Sequence, residues 1–233
     1  MNRLLGGAVA LGGLLLLGCP NPQNYNLIQE PRYAGCGSET IPDPASLAIR
    51  SSAALKHVGE VSIASFNIKF SKEIERATAV LLRNPMLREA DILLLQEMDV
   101  EGVARIAKAL DRCWVYYPAT RHPQTKRDFG NAILSRFPIQ DDHKVIFPHL
   151  GQFGRTQRIA AAATLLINGQ AVRVYSLHVA TQIELGPQRR EAQVQAVIDD
   201  ARSFDGPVIV GGDLNDYRLG HVFKDAGYHW NTR

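Results

Sequence analysis

Six short apolar runs, closing on turns or polar residues, constrain this chain more than any other feature. VSIASFNI (61–68), DILLLQE (91–97), NAILS (131–135), AAAATLLI (160–167), VRVYSLHV (172–179) and PVIVGGD (207–213) have the length, branching and flanking turn residues of β-strands. Between them the apolar spacing becomes helical. Val103, Ile106, Ala107 and Leu110 share one face, and Val194, Val197, Ile198 and Ala201 share another after Pro187, a residue suited to a first helical turn. Ile74, Ala77 and Leu81 form a third stripe. Asn168-Gly169 between two strand-like runs predicts a two-residue hairpin, so at least one neighbouring pair is antiparallel. Hairpins and helical crossovers together predict a mixed α/β domain over residues 60–233.

The segment ahead of it reads differently. Arg3 is followed by an uncharged apolar stretch, Leu4 to Leu17, which has the form of a signal peptide over residues 1–18 and is short of the roughly 20 residues that span a bilayer. Leu16-Leu17-Gly18-Cys19 resembles a bacterial lipobox, which makes Cys19 a lipidation site. The expected location is extracytoplasmic, on a bacterial membrane through the lipid anchor. In a Gram-negative cell the outer membrane is favoured, because Pro20 is not the aspartate associated with inner-membrane retention. Residues 19–59 are rich in Pro, Asn, Gln, Ser and Gly without period and read as a tether. An oxidising compartment would allow Cys36 and Cys113 to pair. The net charge of +3 argues against a strongly electrostatic nucleic-acid binder. No protein partner is expected.

Polar residues recur where the apolar runs end. Asn67 follows VSIASF, Gln96 and Glu97 follow ILLL, His178 follows VYSL, and Asp213 and Asn215 follow VIVGG. Each has an ordinary explanation: Asn bonding backbone, a surface carboxylate, a core histidine, or, for GGDLND, a turn. Placed together at the ends of neighbouring buried strands, they would instead form one acidic, amide-rich rim with an imidazole. Hard oxygen donors favour Mg²⁺, with Mn²⁺ or Ca²⁺ as alternatives. Zinc lacks a His/Cys cluster here. There is no Walker loop, dinucleotide fingerprint or G-x-S-x-G elbow. Magnesium beside amides and an imidazole suits phosphoryl transfer to water.

SFNIKF, LLLQEMD, FGNAILSRFPI, SLHVAT and GGDLND, in this order over residues 60 to 220, resemble the endonuclease/exonuclease/phosphatase (DNase I-like) superfamily. The resemblance implies an α/β/β/α sandwich of four layers, with the active site at one edge of the sheets, and a metal-dependent phosphoesterase acting on a phosphodiester in nucleic acid or lipid, or on a small phosphate ester. It implies Glu97 as principal metal ligand with Asn67, which also binds phosphate, and Asp213. It assigns His178, Asp213 and Asn215 to the phosphoryl group and its attacking water, and Asn131 to a supporting place on the rim. Arg127, in the basic stretch with Arg121, His122 and Lys126, stands where such proteins carry a substrate loop. The resemblance also implies further strands and a terminal Asp-His general base. Only 20 residues follow Asp213 (233 − 213), with His221 and His229 but no Asp-His pair. The expectation is a domain lacking its last strands, and the alternative is a non-catalytic binding module or inactive truncated copy.

Overall fold

A computed structural model of the chain describes residues 22–36, 59–122, 125–152 and 154–231. Residues 1–18, expected to be a signal peptide, and Cys19 lie outside the described residues. The strands are β1 (Gln23–Asn24), β2 (Tyr33–Cys36), β3 (Ile63–Asn67), β4 (Ile92–Met98), β5 (Cys113–Arg121), β6 (Asp128–Ser135), β7 (Ile139–Ile146), β8 (Ile159–Ile167), β9 (Gln170–His178) and β10 (Val208–Asp213). The helices are α1 (Ile74–Arg83), α2 (Pro85–Arg88), α3 (Val100–Leu110), α4 (Pro187–Ala201) and α5 (Gly220–Asp225). One sheet runs β1-β5-β6-β4-β3, with β2 also on β5, and the other runs β10-β9-β8-β7.

The strand period of two sorts side chains between layers. In β4, Ile92 and Leu94 pack between the sheets, while Leu93 and Leu95 face α1 and α3. In β9, Val172 and Val174 face the first sheet, and Tyr175 and Leu177 pack under α4. Strands buried on both faces read as continuous apolar runs, which is why ILLL and AAAATLLI are so uniform. The result is helices, sheet, sheet, helices: the four-layer sandwich that the resemblance implies. Asp99 caps α3 by accepting from the Gly102 N–H at 2.8 Å, and Asp111 closes it at φ 50°. The predicted stripe Val103, Ile106, Ala107, Leu110 is buried throughout. Asn168 and Gly169, at φ 51° and 82°, turn β8 into β9 with Ile167 opposite Gln170.

The tether expectation needs correction. Residues 22–36 belong to the domain: β1 and β2 add antiparallel to β5, and a disulfide joins Cys36 to Cys113. These strands are two and four residues long, too short to carry a period of their own. Their order comes from the β5 edge, from Arg32 paired to Asp142, and from Lys144 Nζ donating to the Glu30 carbonyl at 2.8 Å. Among the described residues, no helix is long and apolar enough to cross a membrane.

Candidate active site

Two parallel pairs, one in each sheet, create the site. β3 lies parallel to β4, pairing Asn67 with Gln96, and β9 lies parallel to β10, pairing His178 with Asp213. Parallel neighbours finish at the same edge, and β3 meets β10 across the sheets. By period two, Asn67, His178 and Asp213 all fall on the faces turned toward the opposite sheet. Glu97 does not. Regular alternation would aim it at the helices, but β4 carries an extra residue against β6, with Leu95 opposite Ala132 and Met98 opposite Gly130. Glu97 occupies that bulge at φ 60°. A non-glycine residue in this region costs about 1–2 kcal/mol, and the bulge returns the carboxylate to the rim.

The four side chains meet there. Asn67 Nδ2 donates to Glu97 Oε1 at 3.0 Å and to Asp213 Oδ2 at 2.8 Å. His178 Nε2 stands 3.9 Å from Glu97 Oε1 and 4.0 Å from Asp213 Oδ2. The Phe70 N–H donates to Glu97 Oε2 at 3.1 Å. Asn215, at φ 54°, donates its backbone N–H to Asp213 Oδ1 at 2.9 Å and its amide to the Val179 carbonyl at 2.9 Å. A Cβ on Gly212 would lie 2.0 Å from the Leu177 carbonyl, so glycine is required for β10 to approach β9 here.

His178 is buried, and burial followed by the nearby Arg158 guanidinium pushes its pKa well below the usual imidazole value. The ring is neutral at pH 7. Arg158 Nη1 lies 3.0 Å from His178 Nδ1 and 3.2 Å from Nε2, a contact shared across the ring, while Nη2 pairs with both oxygens of Glu184 at 3.0 and 2.9 Å. Neither Arg158 nor Glu184 was legible as a site residue, because nothing local marks an arginine before β8 as the neighbour of a histidine ending β9.

Below the rim runs a polar seam that starts at the exposed Ser65 and is buried from Gln96 inward. Ser65 donates to Gln96 Oε1, Gln96 Nε2 donates to Ser176 Oγ at 3.1 Å, and Asn131 Nδ2 donates to the Ile159 and Ser176 carbonyls at 2.9 and 3.0 Å. Asn131 is 1% exposed, so the structure places it as a strut between the sheets, holding β9 two residues before His178. Arg127 is not brought to the cluster; it pairs with Asp99, the α3 cap, beside Tyr25 and Arg121. Asp216, next to Asn215, takes the buried Arg190 at 2.7 Å and Arg218 at 2.9 Å.

Among the described residues, no three His, Cys, Asp or Glu side chains are arranged to hold a metal ion. The oxygen donors facing the rim are the two carboxylates; Asn67 turns its Nδ2 to them and its Oδ1 to the Lys69 N–H at 2.9 Å. In the same set, the ion-pair partner of both carboxylates is His178, which is neutral. Two anions converging on one neutral nitrogen lack a counter-charge, and Mg²⁺ characteristically takes one or two carboxylates with water completing its shell. The residues fit a hard divalent cation and do not fit a closed zinc cage.

A four-layer sandwich with an acidic, amide and imidazole rim at its sheet edge defines a class of protein. The pattern of the Endonuclease/Exonuclease/phosphatase family matches residues 64–231, and the chain belongs to that family. A UPF0294 protein of Vibrio cholerae is 26% identical over 164 residues, covering 68% of this chain and 54% of the relative. The chain thus spans about half the length of the curated relatives it matches. Among solved structures, D. rerio TDP2 complexed with single strand DNA product has a TM-score of 0.55 at 18% identity, over 70% of this chain and 64% of the other. Sphingomyelinase C from Streptomyces griseocarneus has a TM-score of 0.57 at 18% identity, over 72% and 70%. These likenesses establish the shared fold.

Proposed function

We propose that this chain is a divalent-metal-dependent phosphoesterase, with a phosphodiester of nucleic acid or lipid as its favoured substrate class. The observation that carries this reading is the convergence of Glu97 and Asp213 on the Asn67 amide, with no ion pair to a lysine or arginine among the described residues. Family membership supports phosphoester hydrolysis, and the DNA-product complex and the sphingomyelinase among the neighbours support a diester.

Glu97 and Asp213 would hold Mg²⁺, or Mn²⁺ or Ca²⁺, and Asn67 would join them only with its amide turned over so that Oδ1 faces the ion. Such an ion, when bound, supplies positive charge to phosphoryl oxygens and makes nearby water more acidic. His178, neutral and rigidly buried, holds a phosphoryl oxygen and offsets the charge that develops there. Asp213 aligns the attacking water, with its own orientation fixed by the Asn215 N–H. Asn215 keeps the turn in its left-handed conformation against Val179 and borders the scissile phosphate. Burial, and then Arg158, keep the imidazole uncharged, and Arg158 places a positive charge behind it.

The reading extends to location: export through residues 1–18 and lipid anchorage at Cys19 on a bacterial membrane. The Cys36–Cys113 disulfide supports an oxidising compartment outside the cytoplasm. Hydrolysis of bis(p-nitrophenyl) phosphate, single-stranded DNA, sphingomyelin and inositol phosphates by the full chain tests the activity. Mg²⁺-dependent turnover that EDTA abolishes is expected for at least one. Metal binding without turnover of any ester would instead favour a non-catalytic module.

A further inference from the structure

A row of rings leads away from the carboxylate cluster. Phe129 lies 5.7 Å from the His178 ring, Phe70 lies 5.2 Å from Phe129, and His122 meets Phe70 edge-on at 5.0 Å. Phe129 is buried, while Phe70 and His122 are half-buried, so the row starts in the core and ends at solvent. Lys72, exposed, holds Nζ 5.3 Å over the Phe70 ring.

The backbone is strained where it presents Phe70. Lys69, Phe70 and Ser71 all have positive φ, at 46°, 61° and 50°, and none is glycine. Successive left-handed residues persist only where their surroundings over-determine them. Two anchors do so here: the Phe70 N–H on Glu97, and Ser71 Oγ, which accepts the Asp99 N–H at 2.9 Å. A large ring placed for core packing would be buried. This one is held at the mouth of the cluster with part of its surface open.

We propose that Phe70, with His122 at its edge, is a stacking subsite for a nucleobase flanking the scissile phosphate, the base taking the ring face that the exposed Lys72 side chain now covers and the ammonium turning to that phosphate. The substrate is then a single-stranded or terminal nucleotide phosphodiester. This rests on the phosphoesterase reading of the same site. Base stacking on an aromatic face is sequence-tolerant and does not need a basic surface, in keeping with a net charge of +3. A choline headgroup would also favour an aromatic face, but the Lys72 ammonium beside Phe70 repels a second cation, whereas a neutral base can displace it and leave it to a phosphate.

The test uses the full chain with fluorescein-labelled (dT)₆ and a matched abasic hexamer, measured by anisotropy in EDTA so that cleavage cannot interfere. Wild type is expected to bind (dT)₆ about tenfold more tightly or better, the scale of one stacked base. Phe70→Leu keeps the backbone bond to Glu97 and should bring the affinity ratio close to one, while Phe70→Trp should preserve it. In Mg²⁺ the same ratio should appear in kcat/KM. Equal wild-type affinities would overturn the subsite, as would parallel losses on both oligomers in Phe70→Leu or faster turnover of sphingomyelin vesicles than of (dT)₆. Base-dependent binding without hydrolysis of any ester would leave the subsite standing and remove the phosphoesterase reading.

Discussion

Asp213 and Asp216 sit three residues apart in one turn, in opposite surroundings. Asp216 is buried with its own counter-charges: Arg190 Nη1 at 2.7 Å, Arg218 Nη2 at 2.9 Å and Arg218 Nε at 3.0 Å. Hydrogen bonds from Arg218 first, and from Arg190, hold its carboxyl far below the usual range against the effect of burial. Asp213 has an amide at 2.8 Å, one backbone N–H at 2.9 Å and a neutral imidazole at 4.0 Å. A carboxylate that serves the fold is neutralised from within. Under the proposed reading, Asp213 instead leaves its counter-charge to arrive with the metal ion.

The comparison breaks most visibly at Asp213. Asp213→Asn is expected to lower Mg²⁺-dependent kcat on the order of 10²- to 10⁴-fold. Its thermal midpoint should hold or rise, because the change relieves repulsion with Glu97. Asp216→Asn should do the reverse. With the buried Arg190 left uncompensated, unfolding free energy in urea is expected to drop by about 3–5 kcal/mol, with activity per folded molecule retained.

Lys144 supplies the mirror image, a buried cation whose amine donates to the Glu30 and Pro118 carbonyls. Burial pushes its pKa down to about 8 from 10.5. Below pH 8 it is charged in both folded and unfolded chains, so the burial penalty is fully present. Between pH 8 and 10.5 the folded protein sheds the proton first, and stability rises with pH. In urea titrations across that window, wild type should gain stability relative to Lys144→Met, which lacks the ionisation. A flat difference would show that Lys144 is not desolvated as its position indicates.

How far the sequence shows this arrangement depends on where each residue finds its partner. β4, β8, β9 and β10 are legible because apolar runs and turn residues are local signals, and Asn168-Gly169 fixes a hairpin by its own backbone preference. Asn67, His178 and Asp213 are legible as strand-end polar groups. Glu97 was expected at the rim, but the bulge that brings it there depends on the register with β6 and cannot be read from DILLLQE. The strand over 113–121 was not expected, since CWVYYPATR combines a proline with polar ends, and its pairing with β6 supplies its order. Arg190 and Arg158 are identifiable only through Asp216 and His178, residues 26 and 20 positions away. Long ion pairs leave no local pattern, which is why the structural role of Asp216 in GGDLNDY is hidden while the half-buried Asp213 and Asn215 are legible.

Titration of the full chain with Mn²⁺, followed by electron paramagnetic resonance, measures the central contrast directly. The account predicts a site displaced by Mg²⁺, lost in Glu97→Gln and in Asp213→Asn, and intact in folded Asp216→Asn. Equal binding in wild type, Glu97→Gln and Asp213→Asn, or no binding at all, would contradict it.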